Sequence, residues 1–212
     1  MEPFPTPEAA WPAGQPRWRI CVLPTPSRDT ALYTLIDQAR KTLAEDPLTA
    51  VADADLHVTL CPVPMPERGP DQHLLYALST ELAARLAALS PFALTAGPAS
   101  AETGSVLLDL DGDRLGESWD ELCTRVLDAL ARVFGEDALG PTATPAHLPL
   151  AYGAGHCDSG ALQRKLRTAL RPGRAPLIID AVHLVEVRQD PPGHRYVLVR
   201  SELRVPLGAR PA

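Results

Sequence analysis

Residues 55–63 read DLHVTLCPV and residues 145–153 read PAHLPLAYG, and these two short runs decide how the chain is organised. In the first, Leu56, Val58 and Leu60 alternate with His57, Thr59 and Cys61, the period of two expected of a strand with one buried face. The apolar set packs on helices, and the imidazole and the hydroxyl share the opposite face. Two residues at about 3.3 Å each place them about 7 Å apart at Cα. The second run repeats the placing 90 positions later, with His147 followed two residues on by Pro149.

Working outward, each histidine occupies the same slot in a longer order. RWRICVLP (17–24) alternates as a strand, and SRDTALYTLIDQARKTLAED (27–46) follows with helical spacing behind a serine. After the first histidine strand come the turn-rich PMPERGP, a long helix in DQHLLYALSTELAARLAALS (71–90) and the strand FALTAGP (92–98). GSVLLDLDG (104–112) opens the second half as a strand, followed by a helix over ESWDELCTRVLDALARVF (117–134). A Gly/Pro/Thr-rich loop leads to AHLPLAY (146–152), then to the helix SGALQRKLRTALR (159–171). Two long strands, APLIIDAVHLVEVRQ (175–189) and HRYVLVRSELRVPL (194–207), close the chain as a hairpin across DPPG. Each half therefore runs strand–helix–strand–helix–strand, the second with one strand more. The halves, 17–99 and 104–207, share architecture rather than letters. An α+β duplication with a pseudo-twofold axis is expected, bringing both histidines to opposite walls of one groove.

Composition excludes several classes of protein. Over 212 residues, 45% are hydrophobic and 22% charged, ordinary for a globular chain, and one bilobal domain over 17–212 suits that length. No apolar run approaches the roughly 18–20 residues of a membrane span. The opening MEPFPTPEAAWPAGQP lacks the apolar core of a secretory signal and reads as a disordered or draped proline-rich arm over 1–16. Cys21, Cys61, Cys123 and Cys157 show no paired spacing, so reduced thiols and a cytoplasmic location are expected. Charge divides unevenly: −11 up to Cys157 and +5 from Asp158 on, giving the net −6. That balance argues against binding long DNA through its phosphates and leaves room for a small phosphorylated ligand.

Two imidazoles facing one another suit a phosphodiester. One neutral ring accepts a proton and one charged ring gives one, near the ordinary histidine pKa of about 6.5. A hydroxyl can hydrogen-bond a non-bridging oxygen. At these residues the chain resembles the two-histidine (2H) phosphoesterase superfamily, whose members carry paired His-x-Thr/Ser signatures, and in particular the bacterial RNA 2′,3′-cyclic phosphodiesterases also labelled 2′-5′ RNA ligases. HVTL, HLPLAYG and PFALTAGPA carry the resemblance, which spans Arg17 to Leu207. It implies a bilobal fold with antiparallel sheets lining a central groove and helices packed outside. It also implies cleavage of cyclic or linear phosphodiesters without metal or other cofactor, by a chain expected to be monomeric.

By that resemblance His57 and His147 are the catalytic pair and Thr59 is the phosphate-binding hydroxyl. Pro149 departs from the pattern, since it supplies neither hydroxyl nor backbone N–H. Tyr152, or a hydroxyl of the PTATP loop (141–145), is a candidate replacement donor. Arg188, His194 and Tyr196, around the final hairpin, are candidates to contact a base or a phosphate. His73, His156 and Cys157 show no metal-ligand spacing, so no metal site is expected. Three functional readings follow: a phosphoesterase acting on a 2′,3′-cyclic phosphate, RNA 3′ end or other small phosphodiester; a binding protein that has lost turnover; or a relative turned to a non-RNA or nucleotide-signalling substrate.

Overall fold

Alternation in RWRICV sends Trp18, Ile20 and Val22 to one face and Arg19 and Cys21 to the other, and the whole architecture is built around that split. A computed structural model of the chain describes residues 1–5, 15–66, 68–110, 117–139, 145–190 and 192–209. In chain order the strands are β1 (Arg17–Val22), β2 (Leu48–Ala50), β3 (Val58–Val63), β4 (Phe92–Ala101), β5 (Ser105–Leu110), β6 (His147–Gly153), β7 (Ala175–Ile179), β8 (Ala181–Asp190) and β9 (Arg195–Pro206). The α-helices are α1 (Thr30–Leu43), α2 (Gln72–Leu86), α3 (Glu117–Phe134) and α4 (Ser159–Ala169).

The strands form two antiparallel sheets, ordered β3-β1-β8-β9 and β2-β6-β5-β4-β7. These are the α+β class and the paired antiparallel sheets that the resemblance implies. The orders correspond: β3-β1-β8-β9 in one sheet answers to β6-β5-β4-β7 in the other. Each half gives two neighbouring strands, β1 and β3 or β5 and β6, to one sheet and a later strand, β4 or β8, to the other. The sheets therefore interleave the sequence halves instead of coinciding with them.

Helices α2 and α3 pack on the first sheet, and α1 and α4 on the second. Their apolar stripes account for this: Leu32, Leu35, Ile36, Ala39 and Leu43 on α1, Leu78, Leu82 and Leu86 on α2, Leu162 and Leu166 on α4. Asp71 and Asp158 cap α2 and α4 by accepting from the Leu74 and Gly160 amides. The helix expected to start near Ser27 begins at Thr30. Asp29 precedes it without capping it, because its carboxylate accepts from Thr25 N, Ile178 N and Arg28.

Two features depart from the strand reading. The run 175–189, expected as one strand, breaks at Asp180 into β7 in one sheet and β8 in the other. Arg28 and Arg204 both bind the Asp180 carboxylate, and its carbonyl accepts from Leu207 N, which pins the corner. The three-residue β2 was not expected at all; it pairs with the end of β6. The first sheet also curls: Leu198 N on β9 donates to the Asp55 carboxylate just ahead of β3, at 2.9 Å. Inside the curl, Cys21, Val185 and Val187 form a small second core. No helix among the described residues is long and apolar enough to cross a membrane.

Candidate active site

Each histidine stands where its strand begins, His57 immediately before β3 and His147 as the first residue of β6. In both, Nδ1–H donates to the backbone carbonyl two residues back: His57 to Asp55 at 2.7 Å, His147 to Pro145 at 2.8 Å. A ring so fixed keeps Nε2 as its chemically available nitrogen. The same local device, built twice, sets the tautomer on both walls.

A β-bulge follows each histidine at the same offset. Thr59 faces Cys21 and Cys61 faces Ile20, which leaves Leu60 unpaired in the ladder; Pro149 faces Leu107 and Ala151 faces Val106, which leaves Leu150 unpaired. A bulge reverses which residues share a face beyond it. Tyr152 therefore joins His147 and Pro149 on the groove wall, directly opposite Ser105. Cys61 is turned away from His57 and Thr59 into the main core, against the expectation that it shares their face. Burial pushes its thiol up to about 12, as it does that of Cys21 behind Thr59.

The two walls meet at a cavity of about 450 Å³ lined by His57, Thr59, His147, Pro149, Tyr152, Arg19 and Tyr196, with Phe4 and residues 102–105 completing it. His57 is 3% exposed, and burial, helped by the neighbouring charges of Arg19 and His147, takes it down from 6.5 to about 4 despite the bond to the Asp55 carbonyl. His147 is half-buried and more open. Thr59 Oγ1 accepts from Arg19 Nη1 at 3.4 Å and lies 3.9 Å from Cys21 Sγ. The Arg19 guanidinium lies 5.4 Å from the centre of the Tyr196 ring. The Tyr152 hydroxyl is buried with no hydrogen-bond partner among the described residues, and burial above all raises its pKa.

Pro149 is accommodated because β2 pairs β6 only at residues 151–153, so β6 is an edge beside His147. The sequence-predicted residues thus fall into two groups. His57, Thr59, His147 and Tyr152 come together at the cavity, and Tyr196 with them. Arg188 does not. It lies on the face of β8 opposite Val185 and Val187, its side chain 47% exposed and paired with Glu186 at 2.6 Å. The alternation that would have shown this could be phased only after β8 was placed beside β1. His194 donates from Nδ1 to the Phe4 carbonyl at 2.7 Å. The candidate hydroxyls Thr142 and Thr144 of the PTATP loop lie outside the described residues.

Sequence reasoning missed Arg19, Ser105 and Phe4. Arg19 shares a face with Cys21 in the alternation of β1, which is a signal only once β1 is known to pair with β3. Ser105 occupies on β5 the place that Arg19 occupies on β1: one lies opposite Tyr152, the other opposite Pro62. Phe4 had no local signal. Among the described residues no group of three or more His, Cys, Asp or Glu side chains is placed to hold a metal ion.

Several solved structures share this fold over nearly their whole length. TT0787 of Thermus thermophilus matches with a TM-score of 0.60 at 15% identity, over 91% of this chain and 98% of that one. A crystal structure described as a phosphoesterase matches with a TM-score of 0.59 at 14% identity, over 91% and 99%. E. coli LigT complexed with 3′-AMP matches with a TM-score of 0.58 at 16% identity, over 92% and 99%. At these identities the likeness is one of fold. The sequence matches no protein-family profile and no curated protein.

Proposed function

We propose that the chain is a 2H-type phosphoesterase that hydrolyses a small phosphodiester, a 2′,3′-cyclic phosphate in the first instance, by acid–base catalysis from His57 and His147. One observation carries the reading: two imidazoles from distant strands line the same cavity, each with Nδ1 tied to the carbonyl two residues behind it. Structural cousins include E. coli LigT, whose crystal structures hold 3′-AMP, ATP, NADP⁺ or phosphate.

The roles divide by environment. His57, buried beside a guanidinium, is held uncharged near neutral pH and accepts the proton of the attacking water through Nε2. His147, more open, gives a proton to the departing ribose oxygen. Thr59 and Arg19, on the first wall, hold the non-bridging oxygens as charge builds on them. On the second wall Pro149 gives nothing; the candidate donors there are the Tyr152 hydroxyl, buried without a hydrogen-bond partner among the described residues, and the Ser105 hydroxyl opposite it. Binding without turnover, the second reading, rests on Pro149. Removing one hydrogen bond to a charged group costs about 1.5–3 kcal/mol, or one to two decades, whereas a positioned acid or base contributes roughly 10²–10⁴-fold. The substitution therefore weakens the site and leaves its chemistry standing.

The test is hydrolysis of 2′,3′-cyclic nucleotides, with other cyclic and linear phosphodiesters alongside, in a chelator. Turnover of at least one diester is expected. Saturable binding with no product from any of them would favour the second reading.

A further inference from the structure

Each histidine is held by the carbonyl two residues behind it, and the two holders differ. Pro145, behind His147, offers its carbonyl and no polar side chain. Asp55, behind His57, accepts from Nδ1 through its carbonyl at 2.7 Å, and its carboxylate accepts from Leu198 N on β9 at 2.9 Å. Strands β3 and β9 are the two edges of the first sheet, so one residue both closes the curl and holds the ring. The carboxylate is unfavourably placed for stability alone. Asp55 is 8% exposed, and among the described residues its carboxylate has this one hydrogen-bond partner and no ion pair. A buried charge so lightly compensated is a burden on the fold. The other acid of the same turn, Asp53, has its side chain 56% exposed and pairs with Arg40 on α1 at 2.7 Å. The turn therefore has an exposed brace on α1 and a buried one on β9.

We infer that Asp55 is a positioning residue for the reaction: by tying β9 to the turn ahead of β3, its carboxylate fixes the carbonyl that sets the His57 tautomer, and so keeps Nε2 aimed as the base. This rests on the phosphoesterase reading and adds a residue to its machinery. An N–H donated to a carboxylate is stronger than one donated to a neutral acceptor, which suits a tie that must not slip. With the tie gone, the turn can shift, the imidazole can rotate and its proton can exchange between nitrogens. A displacement of about 1 Å in a reacting group can lower the rate about 10²-fold. Thr59 and Arg19 are held by the β1–β3 ladder and do not depend on the tie. Loss of the Asp55 carboxylate should therefore appear in kcat and not in KM.

Asp55→Ala, Asp55→Asn and Asp53→Ala separate positioning from a general loosening of the turn. On a 2′,3′-cyclic nucleotide, Asp55→Ala should lower kcat by roughly 10–100-fold and leave KM within about threefold. Asp55→Asn, which keeps an acceptor for Leu198 N, should return kcat to within about threefold of wild type. Asp53→Ala, which removes only the exposed brace, should match wild type. Ring-nitrogen NMR shifts of isotope-labelled protein read the tautomers directly. In wild type and in Asp55→Asn, His57 should be a single tautomer protonated on Nδ1; in Asp55→Ala it should average over both, while His147 keeps its wild-type shifts. A single His57 tautomer in Asp55→Ala, equal changes at both histidines, or the same effects in Asp53→Ala would overturn the inference. Should Asp55→Ala not fold, Leu198→Pro deletes the donor at the other end of the same bond and is read in the same way. The shifts need no turnover. Release of His57 alone supports the positioning role even if the chain hydrolyses nothing, and an unmoved ring refutes it even if the chain is an active phosphoesterase.

Discussion

The β3 wall and the β6 wall of the groove are built to one plan and furnished differently. Both begin with a histidine tied to the carbonyl two residues behind it, and both carry a bulge three residues after that histidine. Yet the β3 wall buries its imidazole and surrounds it with Thr59 and Arg19, while the β6 wall leaves its imidazole more open and follows it with Pro149 and the buried ring of Tyr152. Symmetry of the backbone places the two rings, and on the proposed mechanism asymmetry of the side chains gives them different work. That mechanism needs both, since one proton is taken from water and another is given to the leaving oxygen.

The comparison breaks most visibly with a diester whose leaving group is p-nitrophenolate, which departs without a proton. On that substrate His57→Ala should still lose 10²–10⁴-fold in kcat, whereas His147→Ala should lose less than tenfold. The reverse pattern would exchange the two roles.

Acid stability probes the burial difference. His57 has its pKa lowered from 6.5 to about 4 in the folded protein, so between those values the unfolded chain binds more protons than the folded one. Stability should therefore fall as pH drops from about 6.5 to about 4, by up to about 3 kcal/mol for a fully buried ring. His183, also lowered to about 4 by burial and by Arg204, adds a loss of the same sign in the same window. Urea unfolding at several pH values between 4 and 7 should show the slope, and His57→Asn should flatten it in part. An unchanged slope in that variant would mean that the β3 ring is not buried uncharged.

Smaller effects belong to the hydroxyls. Thr59→Val should lower kcat/KM by roughly 10–100-fold, the loss of one hydrogen bond to a charged group. Pro149→Ser restores a hydroxyl and an N–H on the other wall and should raise kcat/KM by up to about tenfold. A flat response there, combined with a loss in Tyr152→Phe, would place the compensating donor at the tyrosine.

Much of the arrangement was legible before any coordinates. Strand alternation in 17–24 and 55–63, helical spacing in 27–46 and the matched slots of His57 and His147 are local signals, and from them came the element order, apart from β2 and the break between β7 and β8, and the candidate pair of histidines. What escaped depended on pairing between distant strands. Arg19 faces the cavity because β1 lies beside β3, and Arg188 faces away because of how β8 is phased against β1. Leu60 and Leu150 are bulged, which moved Cys61 out of the groove and Tyr152 into it, and nothing in either run announces a bulge. Asp180 turns the chain between sheets inside an unbroken apolar stretch, held there by two arginines far away in sequence. Phe4 reaches the cavity from the far end of the chain, through backbone bonds that no periodicity encodes.

The most direct test is single-turnover hydrolysis of a 2′,3′-cyclic nucleotide in a chelator by wild type, His57→Ala and His147→Ala, each shown to be folded by its thermal unfolding. The account predicts measurable turnover by the wild type and a loss of 10²–10⁴-fold in each variant. Turnover that survives intact in either variant would contradict it.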